Sequence, residues 1–384
     1  MSNSGEKALL PAGMVDLLPP QAEQEAEAVA TAIATLAAHG FERVKPPMLE
    51  FEETLFEGAG AALAKQTFRL MDPSSQRMMG LRADMTPQVV RLAATRLRGQ
   101  PRPLRLCYAG QVLRVRGNQL RSERQVGQVG AEIIGSDSAE ADAEIIALAA
   151  EALERVGVKR LTVDLTLPIL TPLLIESFGV VGEDAERLRE ALDRKDAAAV
   201  EQLAGEGRAL FEGLLSAAGP CEAALTRLRA LHLPESAAEA VGRLEAVIAR
   251  LKVIKPGLRL TLDPVEHRGF EYQTGVSFTL FAAGVRGELG RGGRYLARGP
   301  EGEGEAATGV TLYLDTILRA VGPKAPATRV FLPLGADTAA AEALRAEGYV
   351  TLAALEETDD AAAEARRLGC EKWLSPAGLE DLED

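Results

Sequence analysis

Apolar residues recur at helical spacing from Gln21 to His39, and Gly40 just beyond is a stop signal. The same spacing is strongest over Ala139–Val156, where Ile145, Leu148, Ala149, Leu153 and Val156 share one face. Between these helices the pattern shortens. Phe41–Leu49 reads as a strand interrupted by Pro46-Pro47, and further short strands are expected at Thr67–Met71, Met78–Leu81, Leu104–Leu113 and Gln125–Ile134. Helical spacing over Gln88–Leu97 separates two of them, and Leu161–Leu167 predicts one more strand. From Ile169 to Leu251 the chain is almost purely helical, divided by turn signals at Gly179, Gly182, Gly219-Pro220 and Pro234. Strands resume at Leu258–Leu262, Tyr272–Ala282 and Gly287–Leu289. A glycine-dense interval follows to Gly304, and Ala307–Val321 is a strand running into a helix. Past a Pro323–Pro326 linker, Val330–Ser375 reads βαβαβ. The expected organisation is a core over residues 1–322, with a helical insertion at about 169–256, and a small C-terminal α/β module over residues 327–384.

Composition narrows the class. The chain has 384 residues, 47% hydrophobic and 26% charged, which excludes wholesale disorder. Its 43 basic and 56 acidic residues give a net charge of −13, unfavourable for broad nucleic-acid binding. The charge is uneven. Eight arginines and one glutamate put Arg96–Arg124 at +7, whereas Phe331–Asp384 carries −9. Cys107, Cys221 and Cys370 form no CxxC pair, and His39, His232 and His267 are dispersed, so neither a disulfide framework nor a metal site is expected. No apolar run reaches the ~18 residues of a membrane span and no signal peptide is visible, so a cytoplasmic protein is expected.

Four polar clusters could carry chemistry. Arg82-Ala83-Asp84-Met85-Thr86 lies between a strand and a helix, where Asp84 and Thr86 could accept an amino group or simply cap the helix. Arg114 and Arg116 precede Gln125, Gln128 and Glu132. Gln128 and Glu132, four apart on a strand, share a face, and with Arg114 they could line a polar pocket floor or an ordinary exposed sheet face. The third cluster is His267-Arg268-Gly269-Phe270-Glu271-Tyr272-Gln273, and the fourth is Gly290-Arg291-Gly292-Gly293-Arg294-Tyr295. A glycine-rich arginine loop can hold an anion, or it can be a flexible hairpin turn. P-loop, GxSxG and HExxH signatures are absent.

Taken in order from Leu9 to Val321, these clusters resemble the catalytic core of the histidyl-tRNA synthetases. The resemblance implies an α+β fold: a class II aminoacyl-tRNA synthetase-like core, mostly antiparallel sheet flanked by helices, with the helical insertion and the C-terminal module. Phe41–Glu50, with Pro47, resembles the motif that forms the class II dimer interface. Leu81–Thr86 resembles the amino-acid loop and Arg114 onward the second class motif. Arg268–Tyr272 and Gly292–Tyr295 resemble the two histidine-specific signatures, and Gly309–Leu318 sits where the third class motif belongs. The resemblance therefore implies a histidine site at Asp84, Thr86, Arg114, Gln128, Glu132, Arg268, Tyr272 and Gln273. Asp84 replaces a family Glu, and Gln273 stands where the synthetases have a second Tyr.

The nucleotide contacts depart from that family. Arg116 occupies the position of the Glu that holds the adenine amino group, and Thr316 that of an Arg that clamps the triphosphate. The acidic tail would repel tRNA. This combination resembles the synthetase paralogue that serves as the regulatory subunit of short-form ATP phosphoribosyltransferase in histidine biosynthesis. That resemblance implies a chain with no catalysis and no cofactor of its own. Its implied partners are a second copy of itself, a short catalytic subunit in a hetero-octamer, and histidine as feedback effector. A divergent adenylate-forming ligase and an uncharged-tRNA sensor are the alternatives.

Overall fold

The computed structural model describes residues 10–56, 58–117, 122–267, 272–299 and 304–382. The chain divides into two compact units, Met1–Gly322 and Pro323–Asp384. Strands of the first unit are β1 (Glu42–Arg43), β2 (Leu49–Phe51), β3 (Arg69–Met71), β4 (Met78–Leu81), β5 (Leu104–Leu113), β6 (Gln125–Ile134), β7 (Leu161–Thr166), β8 (Gly219–Pro220), β9 (Arg259–Asp263), β10 (Gln273–Ala282), β11 (Gly290–Arg298) and β12 (Gly304–Tyr313). Nine of them form one sheet in the order β1-β5-β6-β12-β11-β10-β7-β9-β8, and β2-β4-β3 form a smaller one. Among the described residues of the large sheet, β1–β5 and β7–β9 pair in parallel and the other neighbours antiparallel.

Strand alternation divides the large sheet into two faces with different tasks. On β6, Val129, Ala131 and Ile133 join the main core with Ala28, Ala32 and Leu36 of helix Gln21–Ala38 and with Ile145 and Leu153 of helix Ala139–Val156. Each fully buried Val, Leu or Ile among them contributes about 1.5–3 kcal/mol, and each alanine less. The intervening β6 positions, Gln128 and Glu132 included, face the other way. There Val126 and Ile134 pack in a second cluster with Met85, Val89 and Ala93, beside helix Thr86–Ala94. Helix Ala139–Val156 starts where the Ser138 hydroxyl accepts from the Ala141 N–H and stops at Gly157, whose φ of 110° suits glycine.

Several sequence expectations need correction. Phe41–Leu49 is not one strand: Pro46-Pro47 separates β1, in the large sheet, from β2, in the small one. Helix Thr86–Ala94 begins before Gln88 and ends short of Leu97. Gly219-Pro220 is not merely a turn but the edge strand β8, a place where proline is tolerated. Within the glycine-dense interval, Gly290–Arg298 is an interior strand, β11, rather than a hairpin turn, whereas Gly287–Leu289, expected as a strand, is not one; residues 300–303 lie outside the described residues. A Cβ on Gly292 would lie 2.1 Å from the Gly309 carbonyl oxygen and 2.6 Å from the Phe278 ring, so glycine is what lets these strands meet.

The second unit contains β13 (Arg329–Leu332), β14 (Val350–Ala353), β15 (Lys372–Ser375) and β16 (Gly378–Asp381), in the order β14-β13-β15-β16. The β16 hairpin was not legible in the sequence. Asp337 and Asp360 cap helices Thr338–Ala346 and Ala361–Arg367 through their carboxylates.

The second arginine of the β11 cluster binds an anion, and that anion is the protein's own. Arg294 Nε donates to both Asp142 carboxylate oxygens at 3.0 Å, while its other nitrogens reach the Ser136 and Ser138 carbonyls at 2.9 and 3.0 Å. Both residues are almost fully buried. Arg243, on helix Glu235–Ile254, reaches the same carboxylate at 3.3 Å, so Asp142 also anchors the helical insertion. Removing Arg294 leaves the buried Asp142 with the longer Arg243 contacts alone and takes the donors from the Ser136 and Ser138 carbonyls. Arg294→Ala should therefore cost about 3 kcal/mol in urea unfolding. Arg187→Ala, which loses only an exposed pair with Asp184, should cost less than about 1 kcal/mol.

Candidate functional site

The β5–β6 register sets Leu106 opposite Glu132 and Tyr108 opposite Gly130, and the β6–β12 register sets Gly309 beside Glu132. The Glu132 carboxyl is thereby held in the interior, 1% exposed. Three hydroxyls surround it: Thr86 and Tyr108 each lie 3.1 Å from Oε1, and Tyr295 lies 2.9 Å from Oε2. Thr86 and Tyr108 are also 3.0 Å apart, and Thr311 is 3.1 Å from the Tyr108 hydroxyl. A Cβ on Gly309 would fall 1.6 Å from Oε2, so this strand position accepts only glycine while the carboxyl keeps its place. Burial pushes the Glu132 carboxyl up to about 8, against the opposing pull of the three hydroxyls. At neutral pH the group keeps its proton, and it can donate as well as accept.

The loop before helix Thr86–Ala94 is fastened to this strand. Gln128 Nε2 donates to Asp84 Oδ2 at 2.9 Å, and its Oε1 accepts from the Met85 N–H at 3.2 Å. Asp84 Oδ1 accepts from the Thr86 N–H at 2.9 Å, a turn contact just before the helix; the N-cap position is Met85 and no side chain caps it, so neither Asp84 nor Thr86 is the cap that the sequence allowed. Arg82, also buried, donates to the carbonyls of Gln111 and Pro46 at 2.8 and 3.0 Å and ties the loop to β5 and the proline pair. Arg114 Nε reaches the Ala83 carbonyl at 3.3 Å.

Thr86, Glu132, Tyr272, Tyr295 and Thr311 line one cavity of about 20 Å³, room for about one water. Tyr272 sits edge-on to Tyr295, with ring centroids 5.9 Å apart. Gln273, its neighbour in sequence, lines a different and larger cavity. Arg268, with Gly269, Phe270 and Glu271, lies outside the described residues. The structure thus brings together Asp84, Thr86, Gln128, Glu132 and Tyr272, with Arg114 at the same loop, and directs Gln273 elsewhere. Sequence reasoning missed Tyr108 and Tyr295 as partners of Glu132, and Thr311 as the partner of Tyr108. Pairing Leu104–Leu113 against Gln125–Ile134 would have set Tyr108 over a glycine next to Glu132.

The arginine-rich segment is less available than its charge suggests. Arg102 pairs with Glu305 at 2.6 Å, Arg105 with Glu144, and Arg124 with the Ala12 and Arg114 carbonyls. Three of the eight arginines therefore serve the fold itself, while Arg114 engages the Ala83 carbonyl through its Nε. At the other departure, Thr316 is buried and its hydroxyl accepts from Arg319 at 2.9 Å. Among the described residues no His, Cys, Asp and Glu group is arranged to hold a metal, and no helix is long and apolar enough to cross a membrane.

Known proteins match both the sequence and this architecture. The family model for histidyl-tRNA synthetase matches residues 13–317. An ATP phosphoribosyltransferase regulatory subunit of Paramagnetospirillum magneticum is 54% identical over 384 residues, all of both chains. A protein of the same name from Pseudomonas aeruginosa is 35% identical over 96% of each chain. Among solved structures, an ATP phosphoribosyltransferase regulatory subunit/histidyl-tRNA synthetase from Bacillus halodurans aligns with a TM-score of 0.79 and 26% identity, covering 95% of this chain and 97% of that one. A histidyl-tRNA synthetase from Nostoc shares the fold at a TM-score of 0.78 and 19% identity, over 98% of this chain and 95% of its own. With the class II synthetase fold in place and this full-length identity to its relatives, the chain belongs to the family of ATP phosphoribosyltransferase regulatory subunits.

Proposed function

We propose that this chain is a non-catalytic, histidine-sensing subunit of a two-component ATP phosphoribosyltransferase in the cytoplasm. It dimerises through its synthetase-like core and assembles with a separate short catalytic subunit into a hetero-octamer. The observation that carries this reading is a buried, hydroxyl-ringed carboxyl at the centre of a small polar pocket, while Arg116 and Thr316 stand at the positions expected to hold ATP. An arginine cannot accept the adenine amino group, and a threonine cannot clamp a triphosphate.

Histidine would place its carboxylate toward Arg114 and Arg268. Its ammonium and ring nitrogens would face Glu132 and the Asp84–Gln128 pair, with Thr86 and Tyr272 orienting them. A space of about 20 Å³ is too small for an amino acid, so histidine selects an expanded state of the pocket. The difference between closed and expanded states is what the catalytic subunit would read, because only differential affinity shifts an equilibrium.

Two outcomes check this reading. Co-purification with the short catalytic subunit should raise its activity, and histidine should then suppress that activity. No complex, no activation, or histidine-dependent pyrophosphate exchange with ATP by this chain alone would overturn the assignment. Protonation gives the second check. Glu132 holds its proton in the free site at pH 7, and a cation or ring N–H laid against it favours the carboxylate. Histidine binding should therefore release up to about one proton and tighten as pH rises from about 6.5 to about 8. Calorimetry in buffers of different ionisation enthalpy measures the release, which Glu132→Gln should abolish together with at least about tenfold in affinity.

A further inference from the structure

Eight buried side-chain polar atoms lack a hydrogen-bond partner among the described residues, and three of them line a single cavity. They are Arg189 Nε, His267 Nδ1 and Gln273 Oε1. A native interior satisfies its buried polar groups with protein, water or ligand, so three orphans around one space mark a site that expects an occupant. The cavity measures about 650 Å³, within the range of small-molecule sites. It opens between helix Glu183–Asp193 of the insertion and the core, next to but separate from the pocket around Glu132.

The lining specifies the chemistry of the occupant. Pro168, Ile169 and Pro172 supply an apolar wall. Arg189 and Arg194 oppose Glu186, Glu190 and Asp193, a balance of −1 with His267 neutral, which disfavours a polyanion such as a nucleoside triphosphate. Arg189 already donates to Glu186 through Nη2 at 2.6 Å, and its buried Nε has no acceptor among the described residues. Gln273 Oε1 needs a donor. Asp193 accepts from the His267 backbone N–H at 3.3 Å and lies 3.6 Å from its Nδ1, so a carboxylate stands beside the imidazole at the same wall. A carboxylate to meet Arg189, an ammonium to meet Gln273 and the acidic side chains, and an apolar body against the prolines describe one class of molecule.

We infer that this cavity is a second effector site, taking a free α-amino acid with an apolar side chain. Such an occupant bridges the insertion helix to the first residue of β10 and would hold the two together. This inference is independent of histidine sensing at Glu132. The test is calorimetry and thermal unfolding of the full chain with L-leucine and L-phenylalanine, each alone and at millimolar concentration. Binding with a rise in Tm is expected, weakened about tenfold or more by Arg189→Leu and by Ile169→Trp, which fills the space without touching a polar group. Glu132→Gln should change it by less than about twofold. Circular dichroism of each variant separates lost binding from lost folding, and Gln273→Leu provides a third probe of the wall if either variant unfolds. The inference is overturned if neither amino acid binds, if binding survives the folded cavity variants, or if Glu132→Gln removes it.

Discussion

Placing a carboxyl group in the centre of a sheet is the demand around which the core is organised. Stripped of water and unpaired, such a group costs several kcal/mol, and the fold answers with three hydroxyl donors and a retained proton. Each donor comes from a different element: the start of helix Thr86–Ala94, β5 and β11. Their convergence in turn demands space. Gly309 gives the carboxyl room, and Gly130 leaves its strand position to the Tyr108 ring, whose atoms a Cβ would meet at 2.2 Å. The glycine content of these central strands follows from side-chain crowding rather than from any need to bend.

A second buried charge does a different task on the opposite side of the architecture. Asp142 is met by Arg294 from the sheet and Arg243 from the insertion, so one carboxylate fixes the helix that covers the sheet and the helix that closes the insertion. Fully hydrogen-bonded buried pairs of this kind add little net stability over apolar packing, but they penalise misplacement strongly. Together the two carboxyls separate roles within one synthetase-like core. Asp142 is saturated by arginine and structural, whereas Glu132 is neutral, ringed by hydroxyls and adjacent to a cavity. The residues around the Glu132 carboxyl and the two positions where the sequence departs from the synthetases lie on different elements. Gln128 and Glu132 belong to β6, while Arg116 and Thr316 belong to the loop after β5 and to helix Leu314–Val321.

The sequence determined the periodic elements, because a 3.6-residue or two-residue repeat of apolar side chains is a local property. Helix Ala139–Val156 and strands β5 and β6 were legible to the residue, and so was the shared face of Gln128 and Glu132. It also carried the family resemblance through motif order, and with it the substitutions at Arg116 and Thr316. What it could not determine was which strands become neighbours. Tyr108 and Gly309 meet Glu132, and Thr311 meets Tyr108, only through pairing across β5, β6 and β12, and Arg294 finds Asp142 across 152 positions of chain. The same reason hid β11, whose glycines read locally as a loop and are required only because Phe278 and Gly309 press against them. Direction was hidden too: Tyr272 and Gln273 are adjacent in sequence, yet line different cavities. Local pattern fixes what a segment can be, and tertiary packing decides what each side chain touches.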